Sequence, residues 1–430
     1  MSLKTTMPSP TTSQLLPELS RRGSFGWTLV GRIIYGLAQW GTLVLVAKLG
    51  SVADVGRFSL GLAVTAPVMV FCNMHLRNLY ATDSTGRFSW STYGQVRRVT
   101  ALVGLLVCSV MAASVYEGTA AWVIAAVALA KSVEMLEDLR YGVFQRFGRM
   151  DGFSKSLILR AVAGLGALTA VMVTTGELPL AVLCMAAAWA AVWLLHDRPR
   201  SDALLDARGQ SRGATRGSPR GLVLMALPMG LMWLVDSLNQ NLPRYVVEAN
   251  LGEESLGFYV PMTYVVTVGS AFVFALGAPV APRLARHVAE RNASAFAKMA
   301  LGLFALAAAM GGAGVLVAAT VGDVLLGLAY AESFAAYQPE FVWIMIGGAM
   351  HFVLALSMYA LTAARLLKTQ AALYIAAATT TGVAAMAWVP CSGLMGAAKA
   401  SALGLTVGAS GAVLAVMIAW LRIRSGGPHA

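Results

Sequence analysis

The sequence predicts an all-α membrane protein of about twelve transmembrane helices, arranged as two parallel-related six-helix bundles. Three observations predict it: charge too sparse to wet a soluble surface, apolar runs of spanning length throughout, and a lopsided sharing of Lys and Arg between alternate connections. Of 430 residues, 58% are hydrophobic and 12% charged, and the mean hydropathy is +0.69. Soluble domains hold about a quarter charged residues, so the deficit excludes a water-facing globule.

A helix needs about 20 apolar residues to cross the hydrocarbon core. Apolar spans fall at 26–47, 55–74, 100–115, 119–137, 154–173, 178–196, 221–241, 257–281, 298–319, 339–361, 371–387 and 394–421. Backbone polar groups find no water in lipid, so each span closes its own hydrogen bonds as a helix. The alternating segments of about 10 residues that mark a membrane barrel do not occur.

The tail, loops 75–99, 138–153, 197–220, 282–297 and 362–370, and the C-terminus carry 23 Lys and Arg. The opposite connections carry only Lys48 and Arg244, alongside Asp54, Glu117, Glu177, Glu248, Glu253, Glu254, Asp323 and Glu332. Such a bias places both termini in the cytoplasm of a multi-pass protein of the bacterial inner membrane. Residues 1–25 are polar, with Pro8, Pro10 and Pro17, and form a cytoplasmic tail without the apolar core of a signal peptide. The expected division is a six-helix bundle over 26–196, a basic cytoplasmic linker over 197–220, a second bundle over 221–421 and a tail over 422–430. The linker holds Arg198, Arg200, Arg208, Arg212, Arg216 and Arg220, and its expected partners are membrane lipids. No aromatics are interleaved with these charges, so nucleic acid is not a partner. Cys72, Cys108, Cys184 and Cys391 lie in or beside apolar runs without a CxxC pair and read as packing residues.

A short internal repeat supports the two-bundle division. Leu49-Gly50 followed by Gly56-Arg57-Phe58 resembles Leu251-Gly252 followed by Gly257-Phe258-Tyr259, each after the first helix of its half. Repeats of equal orientation are related by an axis along the membrane normal, and transporters often place substrate between them.

Charge inside a membrane marks function by default, with structural pairing as its rival. Arg32, Tyr35 and Gln39 share one face of the first span. Lys131, Glu134 and Asp138 share a face of the fourth, where Lys131 and Glu134 can pair within the helix. Arg160 lies deep in the fifth. The seventh ends in Asp236-Ser-Leu-Asn239-Gln240-Asn241-Leu-Pro243-Arg244, polar enough to line water or substrate, with Pro243 expected to kink or end the helix. Arg57 and Lys399 lie near span ends, where snorkelling is the rival reading. The candidate substrate-binding set is therefore Arg32, Arg57, Lys131, Arg160, Asp236, Arg244 and Lys399, whose positive excess fits an anion such as phosphate or pyrophosphate. No catalytic set or Walker A sequence occurs, so neither an enzyme, a metal site nor a cofactor is expected. Coupling to a proton or sodium gradient stays open.

Several ordered segments carry a family resemblance. They are Gly56-Arg57-Phe58-Ser59 through Leu76-Arg77, Ala81-Thr82-Asp83, Phe88, Tyr93 and Arg97-Arg98; Tyr141-Gly142 through Gln145-Arg146, Arg149-Met150-Asp151, Lys155-Ser156 and Ile158-Leu159-Arg160; Asn241-Leu-Pro243-Arg244-Tyr245; and Tyr330-Ala-Glu332-Ser-Phe334. In this order they resemble the polysaccharide-transporter branch (O-antigen and exopolysaccharide flippases) of the MOP flippase superfamily, whose other branches include MATE drug exporters. The resemblance implies two bundles around a central, often cationic cavity. It also implies alternating access and flipping of polyprenyl-pyrophosphate-linked oligosaccharide for lipopolysaccharide or other surface polysaccharide, beside a polymerase or other assembly proteins. Arg57, Arg160 and Arg244 lie in the matched segments, and Arg32 in a less specific one. A MATE-type exporter would favour deep acidic residues for a cationic cargo. A major-facilitator transporter would want a glycine where Leu79 stands.

The charge bias is tested by fusions. Fluorescent-protein fusions at residue 210 and at the C-terminus are expected to fluoresce, and phosphatase fusions after Gly50 and Glu177 to be active.

Overall fold

The computed structural model describes residues 21–83, 86–209, 217–277 and 280–425. Those residues are helical almost throughout. The helices are α1 (Arg21–Leu49), α2 (Val52–Asn73), α3 (Leu76–Thr82), α4 (Trp90–Val115), α5 (Gly118–Arg146), α6 (Met150–Thr175), α7 (Leu178–Val192), α8 (Arg198–Ala207), α9 (Pro219–Gly277), α10 (Ala281–Ala289), α11 (Ala293–Ala329), α12 (Gln338–Ala363) and α13 (Leu367–Ser425).

Two of these are double. The backbone of α9 leaves helical geometry at Gly252 (φ 79°, ψ 179°) and that of α13 at Gly393 (φ 58°, ψ −139°). Each break turns the chain back where the sequence shows a gap between two spans. Only glycine adopts such dihedrals without strain. With α9 and α13 counted as two each, the described residues form twelve long helical segments in two sets of six. Ten helical stretches among the described residues meet the length and apolarity of a membrane span, and Pro219–Val235 is a shorter apolar one.

The two ends of the molecule differ. At one end five turns are minimal, at Gly50-Ser51, Tyr116-Glu117, Gly176-Glu177, Gly252 and Gly393, and the link from α11 to α12 is a short 3-10 segment, Glu332–Tyr337. Ser51 there caps α2 in a reciprocal box with Asp54. At the other, basic end the helices continue as polar rods past their apolar spans. Residues 138–146, expected in a loop, are the last turns of α5, and α4 begins at Trp90 rather than near residue 100. The basic stretch after residue 197 is likewise helical in its first part, with Leu205 fully buried against Tyr80, Tyr93 and Leu139. Nor does the helix end at Pro243; α9 runs on to the break at Gly252.

Each half has its own apolar core. Leu43, Phe58, Val127, Leu168 and Met185 join α1, α2, α5, α6 and α7. Leu284, Phe296, Phe352, Leu356 and Ala415 join α10 to α13. A third cluster bridges the halves, with Leu60, Val64 and Ile124 against Val247, Phe258, Tyr259 and Phe334. Helix α9 runs along α2 over its length, approaching Phe71 at Gly230, Ala63 at Tyr245 and Val52 at Gly257.

Gly393→Ala is expected to destabilise the purified protein by about 1–3 kcal/mol, the usual range for a residue forced into such a conformation. Gly302→Ala, in open space on an ordinary helix, should be neutral. Thermal melting in detergent distinguishes them.

Candidate functional site

The fourth span presents Lys131, Glu134 and Glu137 on successive turns of α5, facing Arg160 of α6. Lys131 Nζ donates to Glu134 Oε2 at 2.8 Å. The Arg160 guanidinium, 1% exposed, places Nη2 3.2 Å from Glu134 Oε2 and Nη1 2.8 Å from the fully buried Glu137 Oε2. It also lies between two rings, 4.0 Å from the Trp189 centroid and 5.0 Å from that of Tyr35. Gly164 makes room for this stack, since a Cβ there would be driven into Trp189 Nε1.

A directional row of hydrogen bonds reaches this cluster from the second half. Tyr264 Oη donates to Gln39 Oε1 (3.2 Å), Gln39 Nε2 donates to Tyr35 Oη (3.0 Å), and Tyr35 Oη donates to Glu134 Oε1 (3.0 Å). Beside it, Trp40 Nε1 donates to Tyr330 Oη, which donates to the carbonyl of Pro261. On the basic side, Tyr141 and Ser156 share a hydrogen bond, and Ser156 donates to buried Asp197, which also meets His196 Nδ1 at 2.9 Å. A π-helical turn at Trp193–Asp197 puts Asp197 inside.

Tyr35, Gln39, Lys131, Arg160, Trp189 and Tyr264 line a half-enclosed pocket with a cavity volume of about 50 Å³, whose remaining wall is largely apolar. Of the seven residues singled out by sequence, the structure brings Lys131 and Arg160 together here. Arg57 lies at the short-turn end between Asp54 Oδ1 (3.0 Å) and Glu253 Oε2 (3.1 Å). Arg32 is exposed on α1. Lys399 is exposed, with Nζ 5.6 Å from the Trp343 centroid. The Asp236 side chain lies outside those described. Arg244 is half-buried, donates to Asn241 Oδ1 at 3.0 Å, and has no carboxylate within ion-pair distance among the described residues. Tyr245, Tyr259 and Tyr264 are near enough to feel its charge.

Of the loop motif, Arg97 is buried with Nη2 3.7 Å from Asp138 Oδ2, and Arg77 Nη1 is 3.5 Å from Asp138 Oδ1. The Arg77 guanidinium also lies over the Phe153 ring, so both arginines brace α3 and α4 on α5 and α6. Sequence reading missed Glu137, Asp197, Trp189 and Tyr264. Glu137 continues the Lys131–Glu134 face by one more turn, which is a usable signal. The others have none, because their roles depend on which neighbouring helix they meet.

No family model matches the chain. The capsular polysaccharide biosynthesis protein CapF of Staphylococcus aureus is 19% identical over 331 residues, covering 77% of this chain and 82% of CapF. An inward-facing multidrug resistance MATE family transporter of the MOP superfamily superposes with a TM-score of 0.61 at 13% identity, covering 95% of this chain and 96% of that one. The outward-facing conformation of such a transporter gives 0.55 at 15%, covering 94% and 97%. A MOP superfamily transporter from Pyrococcus furiosus, for which reverse polarity of the binding pocket suggests a different function, gives 0.57 at 14%, covering 94% and 96%. The fold is that of the MATE and MOP transporters.

Removing Arg160 would strand the fully buried Glu137 carboxylate, while half-buried Glu134 keeps Lys131 and Tyr35; breaking such a buried pair typically costs about 3–5 kcal/mol. Arg160→Ala is expected to collapse the amount of folded protein in the membrane, and Arg160→Ala with Glu137→Gln to recover part of it. Detergent-extracted yield and melting temperature provide the check.

Proposed function

We infer that the chain is a flippase, carrying a polyprenyl-pyrophosphate-linked oligosaccharide across the bacterial inner membrane by alternating access, for surface polysaccharide synthesis. The observation that carries this reading is the uneven state of the cations around the pocket. Lys131 and Arg160 are neutralised by Glu134 and Glu137, whereas Arg244, whose charge is felt at the pocket tyrosine Tyr264, has no carboxylate partner among the described residues. A guanidinium in a membrane whose partner among the described residues is an amide oxygen calls for an anion, and pyrophosphate oxygens match its donor fork. The capsular-polysaccharide assignment of CapF and the MOP fold support the same reading.

In the proposed cycle the basic end faces the cytoplasm. The head group enters between the halves, its phosphate on Arg244 and its first sugars at the pocket, while the prenyl chain stays in lipid. The halves then rock to expose the cavity on the other side. A MATE-type exporter of cations is the second reading. It needs a carboxylate free to receive the cargo, and among the described residues the two carboxylates nearest the pocket cations, Glu134 and Glu137, are engaged by Lys131 and Arg160.

The test is a deletion strain complemented with wild type or Arg244→Gln. A charged hydrogen bond contributes about 1.5–3 kcal/mol, so the variant should slow translocation at least about tenfold. Lipid-linked glycan should accumulate on the cytoplasmic face while membrane abundance of the variant stays normal. Unchanged surface glycan in the deletion, with lost efflux of a small cation, would instead establish the exporter.

A further inference from the structure

The internal repeat has a physical role that the cargo site does not use. Its two copies touch. A Cβ added at Gly56 of α2 would be driven into the carbonyl oxygen of Glu253, and one added at Gly257 into the carbonyl oxygen of Val52. The first turns of α2 and of the second part of α9 are therefore in backbone contact, at the end of the molecule that has the short turns. Beside this contact Arg57 of the first half spans Asp54 of its own helix and Glu253 of the other half.

Further contacts between the halves lie at or above the level of the pocket on the same side: Gln39 with Tyr264, Trp40 with Tyr330, and the bridging cluster of Leu60, Val64, Val247 and Tyr259. At the basic end the picture differs. The first turns of α9, Leu222 and Ala226, are packed into a cluster built by the first half, with Tyr80, Tyr93, Leu139 and Leu205. The start of α9 is thus fastened to the first half by a buried apolar cluster, while around its break at Gly252 the halves are joined by the bridging cluster, the two glycines and a half-exposed ion pair.

We propose that the Gly56–Gly257 contact with the Arg57–Glu253 bridge is the gate of the short-turn end, closed in this structure, and that α9 pivots about its basic-end anchor when the gate opens. The inference rests on the alternating-access reading above. Backbone contact excludes cargo and water by shape, and the glycines permit it on both partners. The ion pair adds a bond that a small separation breaks and that re-forms on closing. It is exposed enough for both charges to hydrate once apart, so opening strands no buried charge, unlike a break at Arg160.

The test reads access rather than transport. In a chain with its four cysteines replaced by serine, a reporter cysteine is placed at Leu62, which lines the pocket. It is then treated with a membrane-impermeant maleimide from either side of the membrane. With the gate intact, labelling should come from the basic-end side alone. Gly56→Leu should move labelling to the short-turn side by at least tenfold. Arg57→Glu should do so in part, and Arg57→Glu with Glu253→Arg should restore the original sidedness. Should Gly56→Leu fail to fold, the charge reversal and its rescue decide the matter. Unchanged sidedness in folded Gly56→Leu, or in Arg57→Glu, overturns the gate even if glycan flipping continues. The expected shifts, in a protein that moves no lipid-linked glycan, would keep the gate and remove the flippase reading.

Discussion

Charge neutrality inside the first half is the constraint from which much of the molecule follows. Hydrocarbon and close-packed protein solvate an ion poorly, and a buried ion needs its counter-ion at bonding distance. Arg160 therefore fixes where α5 and α6 face each other, because Glu134 and Glu137 must reach it together. The rings that cover it, Trp189 and Tyr35, bring α7 and α1 to the same point. The glycine at 164 follows from the indole, and the orientation of Tyr35 follows from the carboxylate it serves. Four helices are set by one guanidinium. A half built this way resists internal shear, because displacing any one helix would separate ions in a medium that receives them poorly.

This constraint also explains which parts could be read from the amino-acid order. Hydropathy located the spans, including the two divided at Gly252 and Gly393, since lipid contact leaves a compositional mark on each crossing helix. It placed the helix ends poorly on the basic side. Residues 138–146 and 198–207 stay helical where they leave lipid, and polarity records the change of solvent rather than the end of the hydrogen-bond ladder. The Lys131–Glu134 pair was legible because it lies within one helix. The partners of Arg160 were not, because they come from another helix, and a sequence gives each helix its stripe without giving the stripe a neighbour. For the same reason Arg57, Arg160 and Arg244 look alike in sequence yet occupy an inter-half bridge, a closed ion cluster and a position with no carboxylate partner among the described residues.

The two halves differ in how they use polar groups. Among the described residues the first half concentrates its buried charge in the Arg160 and Arg97 clusters. The interior of the second is mostly apolar and small. Ala349 meets Gly311, Ala402 meets Gly347 and Val266 meets Gly348, so its helices approach closely through small side chains. Internal firmness is thus reached by ion pairing in one half and by close backbone packing in the other.

The row of hydrogen bonds from Tyr264 to Glu134 has a polarity of its own. Glu134, as a carboxylate beside Lys131 and Arg160, only accepts, so Tyr35 must donate to it, Gln39 to Tyr35, and Tyr264 to Gln39. The proton of the last hydroxyl is committed backward along the row. Tyr264 therefore turns only oxygen lone pairs toward the pocket, and its occupant meets an acceptor there. Gln39 beside it keeps a second amide N–H, so an acceptor and a donor stand next to each other on that wall. The sign of one half-buried carboxylate thus reaches the cavity wall as the fixed direction of a hydroxyl proton.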